Sequence, residues 1–393
     1  MASESAAAKT SARVHSIGGM ALTELWERFS FYGLQSILSF YLLYELDQGG
    51  LALSPAASAG IVGAYGGAVY IAQRIGAWLG ERVLSPKRLV LIGGIVIAFG
   101  HIGLAVVAGL PGLAVGLVLI ILGTGALKTN ITSIVGFILE DETLARRDAG
   151  FSYFYMAINT GSVIGPLATG FVQEEWGFHP GFALAAVGMI AAVIQYVFSS
   201  RRLPKRADQV TRPLSPRGAR TAVVLTAAAI AVVGIAAWSG LLRAEMLSTV
   251  ATVVAVVAAA AYFAVMLTSK KVTATEKRRV ASFIPLFFVS GLYFGFLFQK
   301  FTAVSILIQE RVDRSLGDWS FPVGWVSMFS PLAAVNFLTL ALGSSLSGLL
   351  GQLYAAIPNS AYFVIIGASA VLVGVCLLLV RRPLQRSLYA GLS

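Results

Sequence analysis

The 393-residue chain is poor in charge, with 12% Asp, Glu, Lys and Arg, and it has a single cysteine, Cys376. One cysteine excludes an intrachain disulfide framework and thiolate metal clusters. No nucleophile–base pair, metal cluster or phosphate-binding loop stands at useful spacing, so the sequence is read as not an enzyme, with no cofactor and no metal. No cleavable signal peptide is expected, because the N-terminus is polar and rich in small residues and leads into a full-length span. What is there is apolar: 57% of residues are hydrophobic, the profile of a polytopic membrane protein. The net charge of +11 would suggest nucleic acid in a soluble protein. Here Lys and Arg collect in short loops between apolar runs, as the positive-inside rule expects, so no nucleic-acid partner is implied.

After a basic, disordered cytoplasmic tail (1–18), apolar runs occupy about 20–46, 58–80, 88–109, 111–138, 150–172 and 180–199. Each approaches the ~20 residues a bilayer needs. Arg82, Lys87, Arg88, Arg146 and Arg147 mark one side as cytoplasmic; Glu45, Asp47, Glu174 and Glu175 lie in loops without Lys or Arg. The domain reading is therefore a six-helix N-terminal bundle (19–200), a basic linker with two extra transmembrane helices (201–279) and a C-terminal bundle (280–393). The stretch 201–220 carries seven arginines and lysines with three prolines and reads as a linker rather than a packed element. The following runs, 221–241 and 246–268, read as a lipid-exposed hairpin. A further run crosses from Val280 to about Gln309, placing the polar loop Glu310–Trp319 outside.

From that loop, two more spans (322–350 and 361–380) would leave Arg381, Arg382 and Arg386 outside, against the positive-inside rule. An odd number of crossings is needed. Either the run Gly324–Tyr354 breaks near Pro331 or Gly343 into two short crossings, or an odd number of helices is missing.

The chemistry concentrates in the first run, where Glu24, Glu27 and Arg28 share one helix face with Phe31 and Gln35. Each charge in hydrocarbon costs roughly 2.5–3.5 kcal/mol on insertion scales, so these should face a protein interior or a water path and pair there. The alternative is that they snorkel at the cytoplasmic end.

Glu24, Glu27, Arg28 and Phe29, followed by Tyr32 and Gly33, resemble the first-helix signature of the proton-dependent oligopeptide transporter family, a branch of the major facilitator superfamily. Tyr65 to Tyr70 and Gly80 to Arg82 resemble its second helix and the loop after it. Gly123 to Asn130 is similar to its fourth helix, and Arg147 to Ser162 to its fifth-helix motif. Arg311 to Arg314 and Phe321 to Trp325 look like the end of the seventh helix and the start of the eighth. The resemblance implies an all-α, two-bundle membrane transporter that couples di- and tripeptide uptake to inward proton flow by alternating access in the cell membrane, N-terminus cytoplasmic. Its implied partners are peptides, protons and the lipid bilayer; the oligomeric state is left open. It implies Glu24 and Glu27 as proton acceptors with Arg28 and Lys128 as their partners, since protonating a carboxylate releases its paired cation. It places Tyr32, Gln35, Tyr70, Lys128, Asn159, Gln299, Trp325 and Ser330 at the peptide site.

This chain departs from that pattern. Gln35 replaces a frequent arginine, Phe31 a tyrosine and Thr129 a proline. Gln299 stands where many members carry a glutamate and cannot titrate; Lys300 beside it would repel an ammonium group if it faced the site. Ser330 replaces an asparagine. Residues 325–338 resemble the eighth helix, 338–351 the eleventh and the final run the twelfth, so the ninth and tenth helices, with halves of their neighbours and a tenth-helix glutamate, are read as absent; three spans' worth is the odd number the arginines demand and leaves about eleven spans and an incomplete C-terminal bundle. Two other functions stay open: a transport-incompetent protein that binds or assembles through its N-terminal bundle, and a facilitator for another small solute.

Overall fold

The computed structural model describes residues 2–328, apart from 223, 225–230, 232–234, 236–238, 240–243 and 318. Several expectations fall outside these: most of the hairpin's first helix, Ser330, Cys376, the missing ninth and tenth helices, the span count and the fate of Arg381, Arg382 and Arg386.

Six helices run up and down in sequence: α1 (Ala2–Leu43), α2 (Pro55–Arg82), α3 (Pro86–Val106), α4 (Gly109–Ile138), α5 (Leu144–Trp176) and α6 (Phe178–Ser199). Their starts follow familiar chemistry. Pro55 and Pro86 occupy first-turn positions, and the Ser54 side chain accepts from Ala57 N at 3.2 Å. The six apolar runs expected from the sequence coincide with these helices. One expectation is corrected: α1 continues back to Ala2, where a disordered tail was expected, and the Ala6–Ala8 stretch has the highest helix propensity available.

Among the described residues, six helical stretches are long and apolar enough to cross a membrane, but α1 and α5 are not among them. Their interior polar residues lower their hydropathy, and the two pack against each other. A Cβ on Gly161 or Gly165 of α5 would fall inside the contact distance of the Leu25 or Phe29 carbonyl of α1. The four-residue spacing of Gly161, Gly165 and Thr169 thus lets the backbones touch, as small residues do between membrane helices. Thr169 Oγ1 then donates to the Gly33 carbonyl at 3.0 Å. Helix α6 closes on α1 and α3, and α4 joins α2 to α3. Met20, Leu34, Ile37, Leu38, Leu42 and Ile120 are fully buried in the resulting core.

The stretch after α6 was expected to be an unpacked linker and is instead packed. It crosses the ends of α4, α3 and α2 in turn. Ala207 is fully buried; the Arg206 guanidinium lies 5.2 Å over the Phe137 ring and pairs with Glu140; Lys87 pairs with Asp208 at 3.0 Å. The Arg212 and Leu214 amides donate to the Glu81 and Arg82 carbonyls at 2.9 and 3.1 Å. Those carbonyls are helix-end acceptors that α2 itself cannot satisfy.

Helix α7 (Leu247–Thr268) packs along α2, with Ser248 and Ala251 facing Gly63 and Gly67. Helix α8 (Ala274–Phe298) opens on a reciprocal cap between Thr273 and Glu276. The crossing expected to reach Gln309 is interrupted: Gln299–Phe301 form a 3₁₀ turn, Thr302 sits at φ −130°, ψ −103°, and α9 (Ala303–Arg311) resumes. The loop expected outside is a short hairpin, β1 (Ser315–Leu316) against β2 (Trp319–Ser320), turning at Gly317 with φ +69°. Hydrogen bonds from Ser315 hold the Asp313 carboxyl below its ordinary range. Arg314 donates to the Phe321 carbonyl at 2.7 Å and reaches Glu174 at the end of α5 at 4.0 Å.

Candidate functional site

The charges of α1 do not snorkel. Glu24, Glu27 and Arg28 are 0%, 1% and 6% exposed, and they pair within the bundle as burial demands. Arg28 holds Glu27 through two contacts, Nε to Oε2 at 2.5 Å and Nη2 to Oε1 at 2.6 Å, the two-pronged geometry that favours arginine for carboxylates. Arg28 Nε also lies 3.4 Å from Glu24 Oε1. Lys128, from α4, donates to that same Glu24 oxygen. Two carboxylates and two cations therefore close one network across α1 and α4. Glu24 Oε2 is buried without a hydrogen-bond partner.

Aromatic rings carry this network toward α8. The Arg28 guanidinium lies 4.6 Å from the Phe31 centroid and 5.7 Å from that of Tyr32. Phe31 stacks on Tyr65 at 6.1 Å, and Tyr32 on Phe301 at 6.4 Å. Phe301 is the last residue of the 3₁₀ turn and is buried; Ser39 of α1 donates to its carbonyl. The break in the helix frees that acceptor, and α1 satisfies it. Lys300 Nζ sits 6.0 Å from the Tyr32 centroid and 4.8 Å from that of Phe301.

Between α2 and the α8–α9 junction lies a cavity of about 630 Å³. Gln35, Tyr70, Gln299 and Thr302 supply its polar lining, with Val62, Phe294 and Phe298 among its apolar residues. Tyr70 is half exposed and meets Phe298 edge-on at 6.0 Å. Gln35 Oε1 and Tyr65 Oη are buried without hydrogen-bond partners. Such a space, mostly apolar with a few polar groups, has the form of a small-molecule site.

The fold thus gathers Glu24, Glu27, Arg28 and Lys128 into one network, and Gln35, Tyr70 and Gln299 onto one cavity, with Tyr32 between. Asn159 and Trp325 do not line the cavity. The Asn159 amide donates to the Tyr155 carbonyl of its own helix at 2.8 Å, and Trp325 Nε1 donates to the Leu167 carbonyl at 3.0 Å. Phe301, Tyr65 and Thr302 were not anticipated as site residues. The one available signal for Phe301 and Thr302 was their adjacency to Gln299.

The family model described as PTR2, POT family, matches residues 87–360. The chain belongs to the POT family. It is similar to the Bacillus subtilis protein named uncharacterized transporter YclF, 37% identical over 317 residues that make up 80% of this chain and 64% of that one. It is also similar to a di-/tripeptide transporter of Lactococcus lactis subsp. cremoris, 35% identical over 326 residues, 80% of this chain and 65% of the relative. Among solved structures, a peptide transporter POT in complex with sulfate superposes with a TM-score of 0.78 at 33% identity, covering 87% of this chain and 70% of that one. The chain spans about two thirds of the length of these relatives. As a POT family member it is a multi-pass membrane protein of all-α, major facilitator-like fold.

Proposed function

We propose that this chain is built for proton-coupled symport of di- and tripeptides by alternating access, with its N-terminus in the cytoplasm. The proposed organisation is a tail (1–18), an N-terminal six-helix bundle (19–200), a basic linker with two extra helices (201–279) and a shortened C-terminal bundle (280–393). The observation that carries the reading is the buried network of Glu24, Glu27, Arg28 and Lys128, joined through Tyr32 to a cavity at a broken helix.

The network is neutral as paired, with two acids and two cations. One proton on Glu24 leaves it with a net positive charge and frees Lys128 from its partner. The Glu24 Oε2 atom, buried without a hydrogen-bond partner, is the acceptor proposed for that proton. The freed cation then favours a substrate carboxylate, so proton and peptide promote each other's binding through the same residues. Tyr32, Gln35, Tyr70 and Gln299 offer hydroxyl and amide groups to a peptide backbone, with Asn159, Trp325 and Ser330 as further contacts proposed from the family pattern. The 3₁₀ turn at Gln299–Phe301, held by Ser39, supplies the kind of discontinuity that absorbs a conformational change.

Uptake of labelled dialanine into proteoliposomes tests this. Accumulation driven by an inward proton gradient is expected, and Glu24→Gln or Glu27→Gln should abolish accumulation while leaving exchange. Downhill flux without proton dependence would replace the reading with that of a facilitator. Peptide binding with no flux would replace it with that of a transport-incompetent binding protein.

A further inference from the structure

A second cavity, of about 830 Å³, lies where residues 15–22 of α1, the start of α5 and the end of α6 meet. Its cationic lining comes from Arg146 of α5 and Arg202 just after α6. Leu22, Tyr153 and Phe198 form an apolar side, and all three are large hydrophobic residues left exposed at the surface of the bundle. Arg147 and Arg201 stand next in sequence to the two lining arginines, and Arg201 lies 5.8 Å over the Phe198 ring.

We propose that this cavity binds an anionic glycerophospholipid, with the phosphate between Arg146 and Arg202 and an acyl chain along Leu22 and Phe198. Three observations point to a lipid rather than a soluble anion. The cations and the exposed apolar surface belong to the same cavity. The cavity lies at the end of the bundle where the basic loops collect, the level at which lipid headgroups sit. Leu22 of α1, Tyr153 of α5 and Phe198 of α6 are 40%, 51% and 62% exposed, so the apolar side of the cavity is accessible from the surface of the bundle. One acid also lines it: Glu142 accepts from Arg146 Nη1 at 3.2 Å. That contact uses one of five guanidinium N–H groups, which leaves donors for a phosphate. The end of α6 is fixed against α1 by Ser16, whose hydroxyl donates to the Arg202 carbonyl at 3.4 Å, so Arg202 is presented from a packed element.

Native mass spectrometry of the full chain in detergent, titrated with phosphatidylglycerol or with phosphatidylcholine of the same acyl chains, tests the site. Preferential retention of phosphatidylglycerol is expected, and replacing both arginines (Arg146→Gln with Arg202→Gln) should reduce that preference by about twenty-five-fold, at about five-fold per arginine. Removing the same charge elsewhere on the linker (Arg217→Gln with Arg220→Gln) should leave it unchanged, while Arg146→Lys with Arg202→Lys should keep most of it. Equal retention of the two lipids by the wild-type chain would overturn the proposal. So would equal loss in the two glutamine pairs, which marks diffuse attraction. Binding of glycerol 3-phosphate as tightly as phosphatidylglycerol would assign the cavity to a soluble anion instead.

Discussion

The α1–α5 seam and the α7–α8 pair are two ways of being a membrane helix. Helix α7 has an apolar stretch of full spanning length, whereas α1 and α5 fall short of that standard. Yet α7 and α8 contain no buried residue, while α1 supplies Met20, Leu34, Ile37, Leu38 and Leu42 to the fully buried core. Lipid tails are as apolar as leucine, so hydropathy gives a helix no reason to leave lipid for protein. Close backbone approach, hydrogen bonds and paired charges do, and these sit on the less apolar helices.

The largest effect that tests this contrast is Lys128→Met, which leaves Glu24 buried without its α4 partner and should destabilise the bundle by about 3–5 kcal/mol. Adding Glu24→Gln should recover most of the loss in thermal unfolding of the purified protein; a double variant as unstable as the single would break the account of the network. Next comes Gly165→Leu, expected to cost about 2–3 kcal/mol by forcing α5 off α1. Gly291→Leu on α8, where a Cβ meets nothing within 4 Å, should stay within about 0.5 kcal/mol in the same assay. Similar losses at the two glycines would erase the distinction between the regions. Trp325→Phe removes the hydrogen bond to Leu167 and should cost about 1 kcal/mol, read as a small shift in melting temperature. The smallest effect belongs to Asp208→Asn, whose pair with Lys87 is largely solvent-exposed. It should change stability by at most about 0.5 kcal/mol, and high salt should remove even that difference.

Much of the N-terminal bundle was legible because membrane helices obey one-dimensional rules. Apolar length and flanking charge place Pro55–Arg82 or Phe178–Ser199 within a few residues. Prolines at first-turn positions mark helix starts, and charges in an apolar run announce an interior network. Glu24, Glu27, Arg28 and Lys128 were all identifiable on that basis, three from helical spacing and the fourth from the family pattern. The linker shows the limit. Its prolines and arginines read as solvated chain, because nothing in residues 203–214 reveals that α2 ends in unsatisfied carbonyls beside it. The break at Gln299–Phe301 is similar: a largely apolar run does not show that Ser39, some 260 residues earlier, will take the freed carbonyl.

By itself, then, the sequence determined where the helices of the N-terminal bundle lie and which charges must be paired, since apolar runs and the cost of a bare charge are properties of a single helix. Only the tertiary structure decided which oxygen of Glu24 meets Lys128, that Asn159 and Trp325 bond to backbone while Gln35, Tyr70 and Gln299 share a cavity, and that a basic linker straps the helix ends. Those outcomes depend on which faces meet, and a face acquires its partner only when helices distant in sequence pack.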